Sequence, residues 1–309
     1  STNPTNSFKD RVVACALSAA TEFKSKVFAC PSTGNLANAV AAAGARAGIR
    51  TVVFIPSNLE KPKQVNSAIF TDSLVAVNGN YDDVNKLAQE IAGEEDGWAF
   101  VNVNVRPYYA EGSKTLGFEI AEQLGWRIPD QIVIPVASGS QLTKVHKAFG
   151  ELIKLGLVED KPYRIFGAQA TGCSPVSVAY KAGVDAIRPV KPDTIAKSLA
   201  IGNPADGIYV LDICRETGGA VEDITDDEVR EAIVLLARTE GIFTETAGGT
   251  TVGVLKKLVE SGQLDPTLDT VVINTGHGLK TLDAVSDIVA PAATIDPSYA
   301  AFVGTGLGA

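Results

Sequence analysis

The 309-residue chain is 45% hydrophobic and 20% charged, the balance of a globular protein with room for one large domain or two. A formal net charge of -9 with no basic cluster argues against nucleic acid as a partner, and no apolar stretch is long enough to span a membrane. Cys15, Cys30, Cys173 and Cys214 have no metal-ligand spacing and sit among apolar neighbours, so free buried thiols in a reducing, cytoplasmic compartment are expected, with no metal.

The chain opens on Ser1-Thr2-Asn3-Pro4-Thr5-Asn6-Ser7-Phe8-Lys9-Asp10-Arg11. Asn3-Pro4 cannot continue a helix, and Ser7 is a suitable N-cap for the apolar run at 12–17. Lys9 then falls in the first helical turn, where the helix dipole disfavours a cation, and a neutral lysine amine can form an imine with an aldehyde. On this stretch alone, a solvated lysine between Asp10 and Arg11 is the simpler reading.

Up to residue 105, strands at 26–30, 51–55, 73–77 and 99–101 alternate with helices at 36–43, near Leu59 and at 82–92. The second half repeats the alternation. Strands are predicted at 131–136, 163–168 and 270–274, and helices at 142–155 and 226–238, the last capped by Thr225. Residues 186–205, rich in Pro and Gly, read as a loop. The fold class is therefore α/β, with two doubly wound lobes, mostly parallel sheets, and a site in the crevice at the strand C-termini.

Four connections carry polar groups suited to chemistry. In Pro31-Ser32-Thr33-Gly34-Asn35, a glycine turn opens a helix whose N-terminus attracts anions, although a routine capped turn fits equally well. Ala137-Ser138-Gly139-Ser140-Gln141 offers backbone N–H groups and hydroxyls to a phosphate. The run 101–114 concentrates donors on a predicted loop, among them Asn104, Arg106, Ser113 and Lys114, with Arg106 able to grip a phosphate through two nitrogens. Thr275-Gly276-His277-Gly278-Leu279-Lys280 follows the last strong strand.

Taken in order, these stretches resemble threonine synthases, in the tryptophan-synthase-β-like, fold-type II family of pyridoxal 5'-phosphate (PLP) enzymes. The first resembles Pro-Thr-Gly-Ser-Phe-Lys-Asp-Arg, with Asn6 where the family usually has glycine. The resemblance implies that Lys9 carries PLP as a Schiff base and shuttles protons during catalysis. Asn35 would contact the ring oxygen, while Ala137, Ser138, Gly139, Ser140 and Gln141 grip the cofactor phosphate. Thr275 would face the pyridine nitrogen, which a neutral hydroxyl leaves largely unprotonated. Ser32 and Thr33 would hold the substrate carboxylate; Asn104, Arg106, Ser113 and Lys114 would hold its phosphate. Arg106 precedes Pro107 here, whereas the family's arginine follows its proline. The segment 194–204 also resembles one lining the substrate side.

The implied activity is conversion of O-phospho-L-homoserine and water to L-threonine and phosphate, with the released phosphate able to act as a base. His146 and His277 then stay structural. The implied assembly is a homodimer, with a PLP-binding domain at 1–22 and 116–309 and a smaller mobile domain at 23–115. A PLP-dependent serine or threonine dehydratase, or a catalytically idle fragment of the same fold, are the rival readings. The chain has no methionine and starts at its lysine motif, so a longer native N-terminus is expected.

Overall fold

The computed structural model describes residues 2–307 except 33, 60, 72 and 80, with backbone alone at 61–63 and 81–82. Helix α1 (Lys9–Glu22) comes first. It is followed by β1 (Val27–Pro31), α2 (Asn35–Ala47), β2 (Arg50–Pro56), α3 (Lys61–Ala68), β3 (Leu74–Val77), α4 (Tyr81–Glu94) and β4 (Trp98–Phe100). Helices α5 (Arg106–Gly112) and α6 (Lys114–Gln123) lead into the second half. There the order is β5 (Gln131–Pro135), α7 (Ser140–Lys154), β6 (Arg164–Ala170), α8 (Pro175–Lys181), α9 (Gly207–Glu216) and β7 (Val221–Ile224). Then come α10 (Asp226–Glu240), α11 (Thr246–Glu260), β8 (Thr270–Val272) and α12 (Tyr299–Gly304). No described helix is long and apolar enough to cross a membrane.

The strands form two four-stranded sheets, ordered β3-β2-β1-β4 and β7-β6-β5-β8, with every ladder parallel. Both sheets therefore have the same winding. The chain starts at an inner strand, steps outward twice, and returns to the other side of its starting strand. That reversal makes a topological switch point between β1 and β4, and a second between β5 and β8. The strands read as continuous apolar runs because both faces of each sheet are covered. On the first sheet, Phe28, Cys30, Val53 and Ile55 pack with Val12 and Val13 of α1 and Val40 of α2, while Phe54 and Phe100 pack with Val84 of α4 on the other face. On the second, Ile132, Ile134 and Ile165 meet Val145, Phe149 and Leu211; Val133 and Phe166 meet Val229, Ile233 and Val254.

Three expectations are revised. Phe8, not Ser7, occupies the position before α1; the Ser7 hydroxyl still accepts the Lys9 N–H at 3.3 Å. The run at 106–112 is helix α5 rather than loop, because Pro107 at its second position suits a helix start. Helices α8, α9 and α11 and strand β7 also lie in stretches without a clear pattern. Thr225 does cap α10, in a reciprocal box with Glu228.

Helix α11 carries three glycines, two of which, Gly249 and Gly253, face α10 and β7. A Cβ at Gly249 would lie 2.5 Å from Ile233 Cγ1 and 2.9 Å from the Val229 carbonyl, and a backbone atom cannot move aside alone. Gly249→Ala should therefore destabilise the fold by about 1–3 kcal/mol, the usual cost of overpacking. Thermal melting beside the wild type checks this; an unchanged melting temperature would contradict the close approach.

Candidate active site

One pocket lies where the connections after β5 and β8 face α1, α2 and α5. It is lined by Phe8, Lys9, Asn35, Tyr109, Ser113, Pro135, Ala137, Ser138, Gly139, Ser140, Gln141, Ser198, Leu199, Glu245, Ala247 and Thr275. These residues come from along most of the sequence, and backbone pairing joins those near its start to those at 243–278. Phe8 N–H donates to the Thr275 carbonyl at 2.7 Å, and His277 N–H to the Asn6 carbonyl at 3.0 Å. On the other side of the same strip, Glu245 N–H donates to the Gly276 carbonyl at 3.0 Å and Gly278 N–H to that of Phe243 at 2.9 Å. Asn6 turns the chain into this pairing with a left-handed φ of 58°, a conformation asparagine tolerates among non-glycine residues.

Lys9 sits at the first position of α1, half-buried, with its Nζ 2.6 Å from the Tyr109 hydroxyl on α5. Asn35 is the first residue of α2 and donates through Nδ2 to Glu245 Oε2 at 2.9 Å. Thr275 donates through its hydroxyl to Glu245 Oε1 at 3.2 Å. Burial pushes the Glu245 carboxyl above its ordinary value, opposed by the bonds from Asn35 and Thr275 and by the charges of Lys280 and Lys9.

Residues 137–141 form the opposite wall, at the N-terminus of the 15-residue α7. Gly139 there has φ 96°, and a Cβ would lie 2.9 Å from the Asp206 carbonyl, so this position requires glycine. The amide nitrogen of Gln141, Nε2, is buried with no partner among the described residues. A helix N-terminus, hydroxyls at Ser138 and Ser140 and an uncommitted amide donor together fit a phosphate. An amine beside an aldehyde-accepting pocket and a phosphate cradle fit PLP, which carries both groups.

Nine sequence-predicted residues thus line one pocket: Lys9, Asn35, Ser113, Ala137, Ser138, Gly139, Ser140, Gln141 and Thr275. Ser32 is buried just before it, its hydroxyl accepting the Gly34 N–H at 3.5 Å; Thr33 lies outside the described residues. Asn104 is exposed and spends its side chain on the β4 backbone, accepting from Phe100 N–H and donating to the Trp98 carbonyl, both at 2.8 Å. Arg106 is half-exposed, 3.7 Å from Asp206, whose own N–H binds the Ser138 carbonyl. Lys114 turns to Glu111 and Glu151; burial opposes its charge, but those two bonds hold its pKa above the ordinary value. Neither histidine lines the pocket: His146 bonds the Tyr163 hydroxyl, and His277 caps its own turn through the Leu279 N–H.

Sequence reasoning missed Glu245 and the part played by Tyr109. A signal for Glu245 existed: it is the one acid between Glu240 and Glu260, set in the small, uncharged run Thr-Ala-Gly-Gly-Thr-Thr that follows it.

The family model described as pyridoxal-phosphate dependent enzyme matches residues 1–276. The threonine synthase of Methanosarcina acetivorans is 38% identical over 296 residues, spanning 95% of this chain and 72% of that protein. That of Methanocaldococcus jannaschii is 38% identical over 284 residues, spanning 91% and 69%. Among solved structures, the processed form of threonine deaminase isoform 2 from Solanum lycopersicum superposes with a TM-score of 0.75 at 22% identity, over 93% of this chain and 80% of that one. A fungal L-serine ammonia-lyase from Rhizomucor miehei gives 0.74 at 20% identity, over 92% and 88%. At such identities the structural likeness speaks to the fold, and the two archaeal relatives place the sequence more narrowly. The chain belongs to the pyridoxal-phosphate dependent enzymes and, among them, to the threonine synthase family.

Proposed function

We propose that the chain is a PLP-dependent lyase that converts O-phospho-L-homoserine and water to L-threonine and phosphate. Phosphate leaves from Cγ and water adds at Cβ, so atoms and charge balance. The observation that carries this reading is the convergence of Lys9, Asn35, Thr275 and the 137–141 turn on one pocket in a chain of this family.

In this reading PLP supplies the electron sink, and the protein supplies position and electrostatics. Lys9 is the amine that holds PLP and later carries protons on and off the substrate carbons. Its 2.6 Å bond to Tyr109 supports that role, because it fixes the amine at the pocket wall. Residues 137–141 and the α7 N-terminus hold the cofactor phosphate. Asn35 addresses the ring oxygen and Thr275 the ring nitrogen. Ser32 and Thr33 hold the substrate carboxylate. For the substrate phosphate, Ser113 has the strongest support, since it is buried in the lining; Arg106 lies outside the lining, beside Asp206. Asn104 and Lys114 complete this set only by releasing their present partners.

The proposal includes a homodimer in the cytoplasm. Free, buried Cys30, Cys173 and Cys214 suit a reducing compartment, and exposed Val178, Ile208 and Tyr209 on α8 and α9 offer apolar surface to a second copy. It also includes a mobile unit at 23–115 against 1–22 and 116–309. Because α1 packs into the first sheet's core, such movement has to slide α2 and α5 over α1.

Lys9→Ala should abolish covalent PLP, and borohydride reduction of the loaded wild type followed by peptide mapping should label Lys9. Label on Lys114, Lys197 or Lys280 would sink the assignment.

Arg106→Ala should raise KM for O-phospho-L-homoserine by about 10- to 100-fold, the value of one charge-assisted hydrogen bond, and leave PLP binding intact. Loss of PLP itself would mean the two phosphate sites are interchanged. Turnover of serine or threonine to an oxo acid, with O-phospho-L-homoserine ignored, would establish a dehydratase instead.

A further inference from the structure

Glu245 is a carboxylate buried in the pocket lining. It is 2% exposed, precedes α11, and makes no side-chain cap to that helix. Its two oxygens instead accept from Asn35, 210 positions away, and from Thr275, 30 positions away. A carboxylate can only accept, so the Thr275 proton and one Asn35 N–H are both committed to it. The charged groups that act on it are Lys9 at the start of α1 and Lys280 in the turn after β8, while Asp10 acts on Lys280 from α1. His277, beside Lys280, is bridged to Thr244. A buried charge is costly, and burial already disfavours ionisation here. Such a cost is expected where orientation matters more than stability.

We propose that Glu245 is a positioning residue for the cofactor: it fixes the Asn35 amide and the Thr275 hydroxyl in the orientations they present to the ring, and acts through them. This rests on the reading of Asn35 and Thr275 as ring contacts. The carboxylate locks Asn35 with Nδ2 toward Glu245, so an amide flip loses a charge-assisted bond. It also commits the Thr275 proton to Glu245 and leaves the hydroxyl oxygen to face the ring as an acceptor, which suits a protonated ring nitrogen and revises the expectation that the hydroxyl leaves that nitrogen unprotonated. Glu245→Gln keeps the shape but offers one acceptor and one donor, so the two groups can no longer both donate to it.

The test titrates PLP into cofactor-free protein and reads affinity by absorbance. Glu245→Ala should weaken PLP binding about tenfold or more, the value of losing control over two hydrogen bonds, and Glu245→Gln by an intermediate factor. In an Asn35→Ala/Thr275→Val background, Glu245→Ala should cost nothing further. An equal loss in both backgrounds would overturn the proposal, since Glu245 would then not act through those residues. So would wild-type affinity in Glu245→Ala while Asn35→Ala and Thr275→Val each bind weakly. If those two variants bind PLP normally, the ring-contact reading itself fails, and the proposal with it. A cofactor-free measurement separates that failure from misfolding. A folded-state pKa above the unfolded one adds stability below the unfolded value and loses it as pH rises through the folded value. The melting temperature of Glu245→Gln relative to wild type should therefore rise with pH, the difference being least favourable to the variant near the ordinary carboxylate range and most favourable at pH 8. A gap that does not change with pH would overturn the buried, ionisable carboxylate on which the positioning depends.

Discussion

The strip of backbone at Thr275–Gly278, paired with residues 6–8 on one side and 243–245 on the other, is the constraint on which the site depends. None of these three segments belongs to a sheet, yet each donates or accepts main-chain bonds that would otherwise be buried unpaired. The pairing brings the start of α1 to the end of β8 and the start of α11. It fixes Lys9, Thr275 and Glu245 relative to one another before any side chain interacts. Main-chain bonds define distance better than long side chains, whose rotamer freedom would blur it. Asn6 is part of the device: its left-handed φ delivers Ser7 and Phe8 into the pairing at the correct angle.

The twin winding of the two sheets explains why the polar connections meet. In a parallel sheet, the loops beyond the strand C-termini diverge at a switch point and leave a crevice. Residues 31–35 follow β1 and 101–105 follow β4; residues 136–141 follow β5 and 273–276 follow β8. All four connections therefore flank a switch point, two in each sheet. Strands β2, β3, β6 and β7 lie outside the switch points; the connection after β6 adds Ser198 and Leu199 to the lining, and the one after β7 adds Glu245 and Ala247.

Much of this was legible because apolar runs bounded by glycine and proline mark the inner strands clearly. Residues 131–136 and 51–55 are examples, found within a residue or two of β5 and β2. The failures have physical causes. Strand β7 reads Val-Glu-Asp-Ile, and two acids argue against a buried strand. They are tolerated because Lys181 reaches both Glu222 and Asp223, and Lys257 reaches Glu222 at 3.2 Å. Helix α11 begins Thr-Ala-Gly-Gly-Thr-Thr, a poor helix by propensity. Tertiary packing overrides that weakness: the missing side chains admit α10, and Thr250 and Thr251 return their hydroxyls to the carbonyls four residues back. Lys114 and Asn104 looked available as ligands because a sequence does not show that Glu151 and the β4 backbone claim them.

The same limit hid Glu245, and the electrostatics of the pocket turn on it. Among the residues lining the pocket, Lys9 is the one cation and Glu245 the one anion. The phosphate cradle contains neither lysine nor arginine; it relies on N–H groups, hydroxyls and the dipole of α7. This division has a reason. A guanidinium placed in the cradle would be attracted to the one carboxylate of the same lining, and in a buried setting such attraction is strong. Glu245 would leave Asn35 and Thr275, and both donors would lose the partner that orients them. Neutral donors at the phosphate end can hold an anion without competing for the carboxylate. The positive groups are instead kept outside the lining, Arg106 against Asp206 and Lys114 among Glu111 and Glu151, where their charge is already matched.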